Sequence, residues 1–241
     1  MLWTGAAERR WWARPGLWAL VAFAALLPFD GAISRAALWL NGHVGGDVRR
    51  ELHALQQYGQ FTVSVVVGVA VWLADPARRS RLVGWAVAWV IAAGLVYPMK
   101  ILVGRPRPRF GDGEIHPLVF LGPTGAWPLG VDRSGEPRGV RHAWELWAGI
   151  SSDLHAMPSS HTAYAVVMSA FLSRLYPALR PVLVFLACLV GFCRVLFGAH
   201  FATDVAVGAA IGILAVRLSV DRGVGERVRG WLTGAKVGPA L

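Results

Sequence analysis

The chain has 241 residues, of which 55% are hydrophobic and only 16% are charged, and its mean hydropathy is +0.48. An ordinary globular domain has about 25% charged residues, so the composition argues against a soluble protein. It also excludes a disordered chain and a disulfide scaffold. The net charge is +10. In so apolar a chain, this positive charge indicates contact with anionic membrane lipid and not with nucleic acid. We therefore predict a membrane protein.

Six apolar segments separated by short charged breaks predict six transmembrane helices. They lie near residues 12–29, 58–74, 82–103, 162–177, 181–199 and 203–219. The first is the least well defined, because Pro28 and Asp30 interrupt an apolar stretch that resumes at 36–40. Its start is basic but no convincing cleavage site follows, so we expect a retained helix and not a signal peptide. The predicted fold class is an all-α, polytopic six-helix membrane bundle forming one domain over residues 1–241.

The number of spans is even, so both termini are predicted on one side of the membrane. The short breaks on that side are rich in arginine and poor in acids, which predicts cytoplasmic termini. The long segment 104–160 is then an outer loop, rich in Gly, Pro and charge, with a short amphipathic piece at 141–150. Small loops and the lack of a retention signal favour a bacterial inner membrane. Cys188 and Cys193 are expected to be reduced thiols.

Charged residues at membrane depth are costly, so each of them needs a partner or a function. A first polar cluster ends the third span and holds four cations and no acid: Lys100, Arg105, Arg107 and Arg109. These cations would repel one another unless they surround a polyanion such as phosphate. An interfacial anchor of the third span is the alternative interpretation.

A second polar cluster, Pro158-Ser159-Ser160-His161, precedes the fourth span. A turn of this kind at the start of a helix offers hydroxyls and free backbone N–H groups to an anion. His161 would lie in the first helical turn and could carry a proton. An ordinary helix cap with a structural histidine would give the same pattern.

A third cluster links the fifth and sixth spans and contains Arg194, His200 and Asp204. Because His200 and Asp204 are four residues apart, the carboxylate would hold one imidazole nitrogen and make the other more nucleophilic. A merely structural pair is the alternative. The three clusters together offer cations, a nucleophile and a separate acid/base, but no set of metal ligands. They predict phosphoryl transfer through a histidine, without metal or cofactor.

The three clusters resemble the signature of the type 2 phosphatidic acid phosphatase superfamily. Its pattern is Lys-x6-Arg-Pro, then Pro-Ser-Gly-His, then Ser-Arg-x5-His-x3-Asp, and this chain matches the order and the spacing over residues 58–219. Two positions depart from it: Ser160 stands in place of Gly, and Cys193 in place of Ser. The serine would cost about 1 kcal/mol or more if the turn required a positive φ.

The resemblance implies a role for each matching residue. His200 would attack phosphorus, Asp204 would orient it, and His161 would protonate the leaving oxygen and then activate water. The phosphate oxygens would be held by a larger set: Lys100, Arg107, Ser159, Ser160 through its backbone, and Arg194. Two loop histidines and an acid near the second motif stay outside the predicted site: His142, His155 and Asp153.

The predicted function is an outer-face membrane lipid phosphatase. Phosphatidic acid, phosphatidylglycerophosphate, lipid A phosphate and undecaprenyl diphosphate all fit. The outer site and the extra cations Arg105 and Arg109 favour the diphosphate, although solvated loop flanks are the preferred interpretation of these two arginines. Two alternatives remain: a phosphotransferase that uses another lipid as acceptor, and a non-enzymatic protein that binds or transports lipid headgroups. Membrane lipids are the expected partners; the sequence leaves the oligomeric state open.

Overall fold

The computed structural model describes residues 15–109, 115–128, 135–136, 139–145 and 153–234. Within these ranges the chain is mostly helical. Its α-helices are α1 (Pro15–Leu26), α2 (Asp30–His43), α3 (Gly46–Leu55), α4 (Phe61–Ala74), α5 (Leu82–Val103), α6 (Ser160–Leu175), α7 (Arg180–Leu196), α8 (Ala202–Val216) and α9 (Val224–Thr233). Short 3₁₀ turns at 27–29, 56–59, 76–81 and 177–179, and a π turn at 217–221, join consecutive helices.

Four helical stretches are long and apolar enough to cross a membrane: Gly16–His43, Pro76–Val103, Pro177–Leu196 and Ala202–Asp221. A fifth is added if Gly46–Gly59 and Phe61–Ala74, which meet at 66°, form one span. The protein is therefore an integral membrane protein. Helix α6, the counterpart of the predicted span at 162–177, has 16 residues, fewer than the roughly 20 that cross a bilayer unaided. The count of six spans stays a prediction.

The first span differs from its prediction, because Pro28 and Asp30 do not end the helical path. Pro28 lies in the 3₁₀ turn between α1 and α2, at the start of a helical segment where its missing N–H costs nothing. The helical path then continues to His43, so the resumed apolar stretch at 36–40 belongs to α2. Helices α2 and α3 were not predicted. Residues 12–14 of the predicted span lie outside the described residues.

The core of the bundle surrounds α6, which packs against α5, α7 and α8. Ten of its 16 residues are buried, so this helix is enclosed by protein on most of its surface. Small residues permit the close packing, with Ala88 and Ala92 of α5 fully buried. Phe171 of α6 stacks on Trp85 of α5 with ring centroids 5.6 Å apart. The first turn of α6, which carries the second motif, is thereby fixed inside the bundle.

The long loop contains the one departure from the all-α prediction within the described residues. Trp127–Pro128 pairs with Val140–Arg141 in a two-stranded antiparallel ribbon. Trp127 packs with Ala143 and Leu154 in a small core of its own. The predicted amphipathic piece begins in the second strand at Arg141, and residues 146–150 lie outside the described residues.

The three polar motifs come together at one end of the bundle. The C-terminal ends of α5 and α7 and the N-terminal ends of α6 and α8 meet there. The backbone N–H of Ser159, just before α6, donates to the carbonyl of Asp204 in the first turn of α8 at 3.0 Å. This contact joins the second and third motifs through the backbone itself.

Candidate active site

A short segment of the long loop, residues 153–158, forms one wall of the site. It runs beside the first motif, with hydrogen bonds from Arg107 N to Asp153 O (2.9 Å) and from Ala156 N to Arg105 O (3.0 Å). This pairing places two carbonyl oxygens at the site. The oxygen of His155 accepts a 2.6 Å hydrogen bond from Lys100 Nζ, and the oxygen of Ala156 faces the third motif.

His200 is completely buried, and its orientation is set by a backbone carbonyl. Its Nδ1 lies 2.6 Å from the oxygen of Ala156. A carbonyl oxygen only accepts, so Nδ1 carries the proton and Nε2 keeps its lone pair. Nε2 is buried and has no hydrogen-bond partner among the described residues. The ring therefore presents an unprotonated nitrogen suited to nucleophilic attack.

The turn that brings His200 into this position requires a glycine. Gly198 has a φ of +60°, a left-handed conformation that strains residues with a side chain. A Cβ at this position would also lie 2.7 Å from Leu38 Cδ2. The backbone N–H groups of Ala199 and His200 both donate to Arg194 O at 3.1 Å, which closes the turn after α7.

The predicted contact between Asp204 and His200 is corrected by the geometry. Asp204 Oδ2 lies 3.7 Å from His200 Nδ1, beyond hydrogen-bond distance. Oδ2 accepts from the backbone N–H of Phe201 at 2.8 Å, and Oδ1 accepts from Arg105 Nη1 at 2.6 Å. Asp204 thus lies beside the ring without a hydrogen bond to it, while the carbonyl of Ala156 fixes the tautomer.

The Pro-Ser-Ser-His turn caps helix α6 without strain. Ser159 is the N-cap, and its Oγ accepts from Thr162 N at 3.4 Å. No described residue other than glycine has a positive φ, so Ser160 causes none of the strain considered for it. His161 follows in the first turn. A Cβ on Gly59 would lie 2.4 Å from His161 O, so only glycine allows the 3₁₀ turn at 56–59 to approach this closely.

Three cations of the first and third motifs surround the two histidines: Lys100, Arg107 and Arg194. Their charges act on both His161 and His200, which places all five groups at one site. Lys100 and Arg107 are buried. Arg194 is held by Gln56, whose Oε1 accepts from its Nη1 at 2.9 Å.

The site's environment keeps His200 neutral. Burial away from water lowers the pKa of His200 well below its ordinary value, and the charges of Arg107, Arg194 and Lys100 lower it further. Burial also lowers the pKa of Arg107 to about 10, with the charge of Arg109 adding to the effect. At neutral pH the site therefore combines an uncharged nucleophile with a charged arginine.

The two remaining arginines of the first motif have different surroundings. Arg109 is exposed, and its backbone N–H donates to Gly198 O at 3.0 Å. Arg105 is completely buried and donates to Asp204, Asp30, Thr203 and the carbonyl of Pro117. The interpretation of Arg105 as a solvated loop flank is therefore wrong. All these partners lie behind His200. The guanidinium of Arg105 is therefore also not directed toward a second phosphate of the substrate.

Several residues of the site were missed by the sequence analysis. Asp30 carried a signal, since an ionisable residue inside an apolar span asks for a function. Ala156 acts through its carbonyl, which any residue type would supply, and Gln56 has no motif around it. His155, excluded as a site residue, contributes its backbone oxygen; its ring Nε2 lies 2.8 Å from Ala143 O.

The described residues contain no group of three or more His, Cys, Asp or Glu side chains arranged to hold a metal ion. Cys188 is exposed and Cys193 is buried, and both are free thiols as predicted. Cys193 lies in a small apolar cluster with Leu196 and Phe197. Its substitution for the serine of the signature therefore leaves the neighbouring Arg194 in place at the site.

The fold and the site define a polytopic helical membrane protein whose three polar motifs meet at one end of its bundle. The sequence profile of the PAP2 superfamily matches residues 81–222, and the chain belongs to that superfamily. The resemblance inferred from the motifs is thereby confirmed.

Two solved structures share the fold. The crystal structure of Aquifex aeolicus LpxE is 20% identical, with a TM-score of 0.53, over 78% of this chain and 93% of that chain. A transmembrane PAP2 type phosphatidylglycerolphosphate phosphatase from Bacillus subtilis is 21% identical, with a TM-score of 0.57, over 90% of this chain and 96% of that chain. At these identities the similarity concerns the fold.

Proposed function

We propose that this protein is a membrane lipid phosphatase that hydrolyses a phosphate ester or diphosphate of a lipid through a phosphohistidine on His200. The observation that carries the proposal is the state of the His200 ring. Its Nδ1 is engaged by Ala156 O at 2.6 Å, and its buried Nε2 has no partner among the described residues. A neutral imidazole held in this tautomer beside three cations is suited to attack on a phosphate.

In the first step the substrate phosphate binds among Lys100, Arg107 and Arg194. The Ser159 hydroxyl and the backbone N–H groups at the start of α6, including that of Ser160, complete its shell. The lone pair of His200 Nε2 attacks phosphorus, and the bond from phosphorus to the lipid oxygen breaks. His161 takes up a proton when the anionic phosphate binds beside it and gives that proton to the lipid oxygen, so the lipid leaves as an alcohol.

In the second step water attacks the phosphohistidine. His161, now neutral, takes a proton from the water, and the P–N bond breaks with its electron pair returning to Nε2. Inorganic phosphate leaves, and His161 is again protonated. While the phosphate is attached to Nε2 and the proton stays on Nδ1, the ring is positively charged. The carbonyl of Ala156 and the nearby charge of Asp204 stabilise that ring.

The surroundings of the two extra cations support an order among the candidate substrates. Arg105 is engaged behind His200, which removes one of the two extra cations that favoured a diphosphate. Arg109 is exposed at the edge of the site and is the remaining candidate for a second phosphate. We therefore rank phosphate monoesters, namely phosphatidic acid, phosphatidylglycerophosphate and lipid A phosphate, ahead of undecaprenyl diphosphate. The neighbour described as a phosphatidylglycerolphosphate phosphatase supports this order.

We place the site at the outer face of a bacterial inner membrane, with both termini in the cytoplasm and one domain of six spans. Arginine-rich breaks on the side of the termini support this orientation. The test is a cysteine-accessibility assay in spheroplasts. A cysteine introduced at exposed Leu118 should react with an impermeant maleimide, whereas one at exposed Arg222 should react only after lysis. Labelling of Arg222→Cys before lysis would contradict the orientation.

The activity is tested by phosphate release from the protein purified in detergent, with a panel of the four lipids and EDTA present. We expect release from at least one lipid by the wild type and none by His200→Ala. His43→Ala is the matched control, because His43 is exposed and, among the described residues, its ring contacts Trp39 of its own helix. Loss of release in both variants, or release by His200→Ala, would overturn the phosphohistidine mechanism.

The same preparation separates hydrolysis from transfer and from simple binding. With phosphate-labelled substrate, a hydrolase yields labelled inorganic phosphate, whereas a transferase yields a second labelled lipid. A headgroup-binding protein yields neither, and its His200→Ala variant keeps full lipid binding.

A further inference from the structure

The guanidinium of Arg105 lies at the centre of a buried polar cluster behind His200. Nη1 donates to Asp204 Oδ1 at 2.6 Å and to Thr203 Oγ1 at 2.7 Å. Nη2 donates to Asp30 Oδ2 at 2.8 Å and to Pro117 O at 2.5 Å. The side chains of Arg105, Asp30 and Asp204 are all completely buried. We call these three residues the Asp30–Arg105–Asp204 triad.

The triad is held rigidly from several directions. The guanidinium of Arg105 lies between two aromatic rings, 4.9 Å from the centroid of Phe120 and 4.0 Å from that of Phe201. Asp30 Oδ1 accepts from the backbone N–H of Thr203 at 3.1 Å, and Oδ2 accepts from the Thr203 hydroxyl. The first span, the long loop and the start of α8 are thus joined at one point, which leaves Asp204 little freedom to move.

The charge of the triad is unbalanced in the free protein. Two carboxylates and one guanidinium give a net charge of −1 on three side chains that are completely buried. Burial of an unpaired charge is costly unless an opposite charge lies nearby. Asp204 Oδ2 lies 3.7 Å from His200 Nδ1. The ring of His200, which becomes positive when phosphate is attached to it, then supplies an opposite charge beside this carboxylate. The charges of Lys100 and Arg107 also act on Asp204, and in the proposed mechanism these two cations hold the phosphate as well.

We propose that Asp30 and Arg105 are positioning residues, which hold Asp204 behind His200 and set the net charge of −1 that stabilises the positively charged ring of the phosphohistidine. This inference rests on the proposed function for its catalytic consequence. Neither residue touches the substrate in this scheme. Their effect reaches the reacting phosphorus through Asp204 and the ring of His200.

The proposal predicts opposite effects for the removal of a negative and a positive charge. Asp30→Asn changes the triad from −1 to 0, Arg105→Gln changes it to −2, and the double variant restores −1. The charged or titratable groups that face His200 from all packed elements stay in place in each variant: Lys100, Arg107, His161, Arg194 and Asp204. The pH dependence of kcat/KM therefore isolates the charge of the triad.

In Asp30→Asn we expect kcat to fall about tenfold or more with KM within about twofold. The acid limb of its kcat/KM profile should move to lower pH by about half a unit, because a more positive surrounding disfavours ring protonation. Arg105→Gln should move this limb to higher pH, and the double variant should return it to the wild-type position. Asp221→Asn is the matched control, since it removes a carboxylate from the Arg174 ion pair at the other end of α8; its profile should equal that of the wild type.

A structural role alone would lower the folded fraction, measured by thermal unfolding, without moving the acid limb. Unchanged kcat and an unchanged limb in Asp30→Asn, or shifts of the same sign in both single variants, would overturn the proposal. If Arg105→Gln does not fold, Asp30→Asn and Asp221→Asn still decide it. Titration of His200 by nitrogen-15 NMR in histidine-labelled protein gives the same shifts without turnover. A wild type that releases no phosphate would thus refute the proposed function, while the NMR midpoints still test the charge placement.

Discussion

His200 donates its Nδ1 proton to the backbone oxygen of Ala156 at 2.6 Å, so the tautomer of the proposed nucleophile is fixed by the main chain. In the familiar serine-protease arrangement an aspartate performs this function, and its loss leaves the histidine in the wrong tautomer. Here the carboxylate of Asp204 is 3.7 Å away and bound to Arg105 and Phe201 N. The group that orients the ring is therefore distinct from the carboxylate that we propose stabilises its positive charge.

This separation makes a prediction for Asp204→Asn. Because the Ala156 carbonyl still holds the productive tautomer, kcat should fall by about 10²-fold, and not by the roughly 10⁴-fold that follows when the tautomer is lost. Steady-state phosphate release from the best lipid measures the loss, with His200→Ala as the inactive reference. Activity of Asp204→Asn as low as that of His200→Ala would show that Asp204, not Ala156, controls the tautomer.

The bond between Gln56 and Arg194 predicts a role for the 3₁₀ turn at 56–59. Gln56→Leu keeps the size of the side chain but leaves Arg194 Nη1 without its 2.9 Å acceptor. Loss of a hydrogen bond to a charged group costs about 1.5–3 kcal/mol, so kcat/KM should fall about tenfold or more. Gln60→Leu, at an exposed position four residues further on, is the control and should retain wild-type kinetics. Equal kcat/KM in both variants would contradict the role of Gln56.

The approach of Gly59 to His161 predicts a steric effect on stability and activity. In Gly59→Ala the new Cβ would lie 2.4 Å from His161 O, so the turn or helix α6 must shift. Overpacking of this kind costs about 1–3 kcal/mol of unfolding free energy, and phosphate release should fall as His161 moves. Gly42→Ala has nothing within 4 Å of its Cβ and should be neutral or slightly stabilising. Thermal unfolding in detergent compares the two, and equal melting temperatures would refute the close contact.

The lowered pKa of His200 predicts how stability depends on pH. The folded protein keeps the ring neutral, whereas the unfolded chain protonates it near pH 6.5, so stability is present above that pH and lost as the pH falls below it. The loss is about 1.4 kcal/mol for each pH unit, until the pKa of the folded state is reached. Burial lowers the pKa of His155 as well, and this adds a contribution of the same sign.

Melting temperatures between pH 7 and 5 measure this dependence. The wild type should lose stability over this range, and His200→Gln should lose less because the contribution of His200 is gone. His43→Gln is the control and should follow the wild type. A wild-type melting temperature that is constant from pH 7 to pH 5 would contradict the neutral, buried ring.

The sequence predicted the elements that carry motifs and missed those that support them. The span at 82–103 coincides with α5, and the motif spacing identified the superfamily, since apolar runs and fixed spacings are local properties. The interruption at Pro28 and Asp30 led to a predicted first span that ends too early, because a proline in the first turn of a helical segment does not end the helical path. The hydrophobic pattern alone does not distinguish a proline that ends a helix from one that begins the next helical segment.

The supporting contacts could not be predicted from the sequence, because they depend on how segments far apart in the chain pack together. Asp30 and Arg105 are 75 residues apart, and their pairing depends on how the first span packs on α8. Arg105 was assigned to solvent because it lies in a basic run, where the average residue is solvated. Only the packing of Phe120 and Phe201 around its guanidinium shows that this arginine is inside.

Three of the residues that hold the motifs in place lie before the region that matches the superfamily profile. Asp30, Gln56 and Gly59 all precede residue 81, where the match begins. A fragment reduced to residues 81–222 would retain each motif and lose Asp30, Gln56 and Gly59, which contact Arg105, Arg194 and His161. The N-terminal helices thus belong to the minimal catalytic unit, and members with identical motifs are expected to differ in rate according to what their first helices contribute.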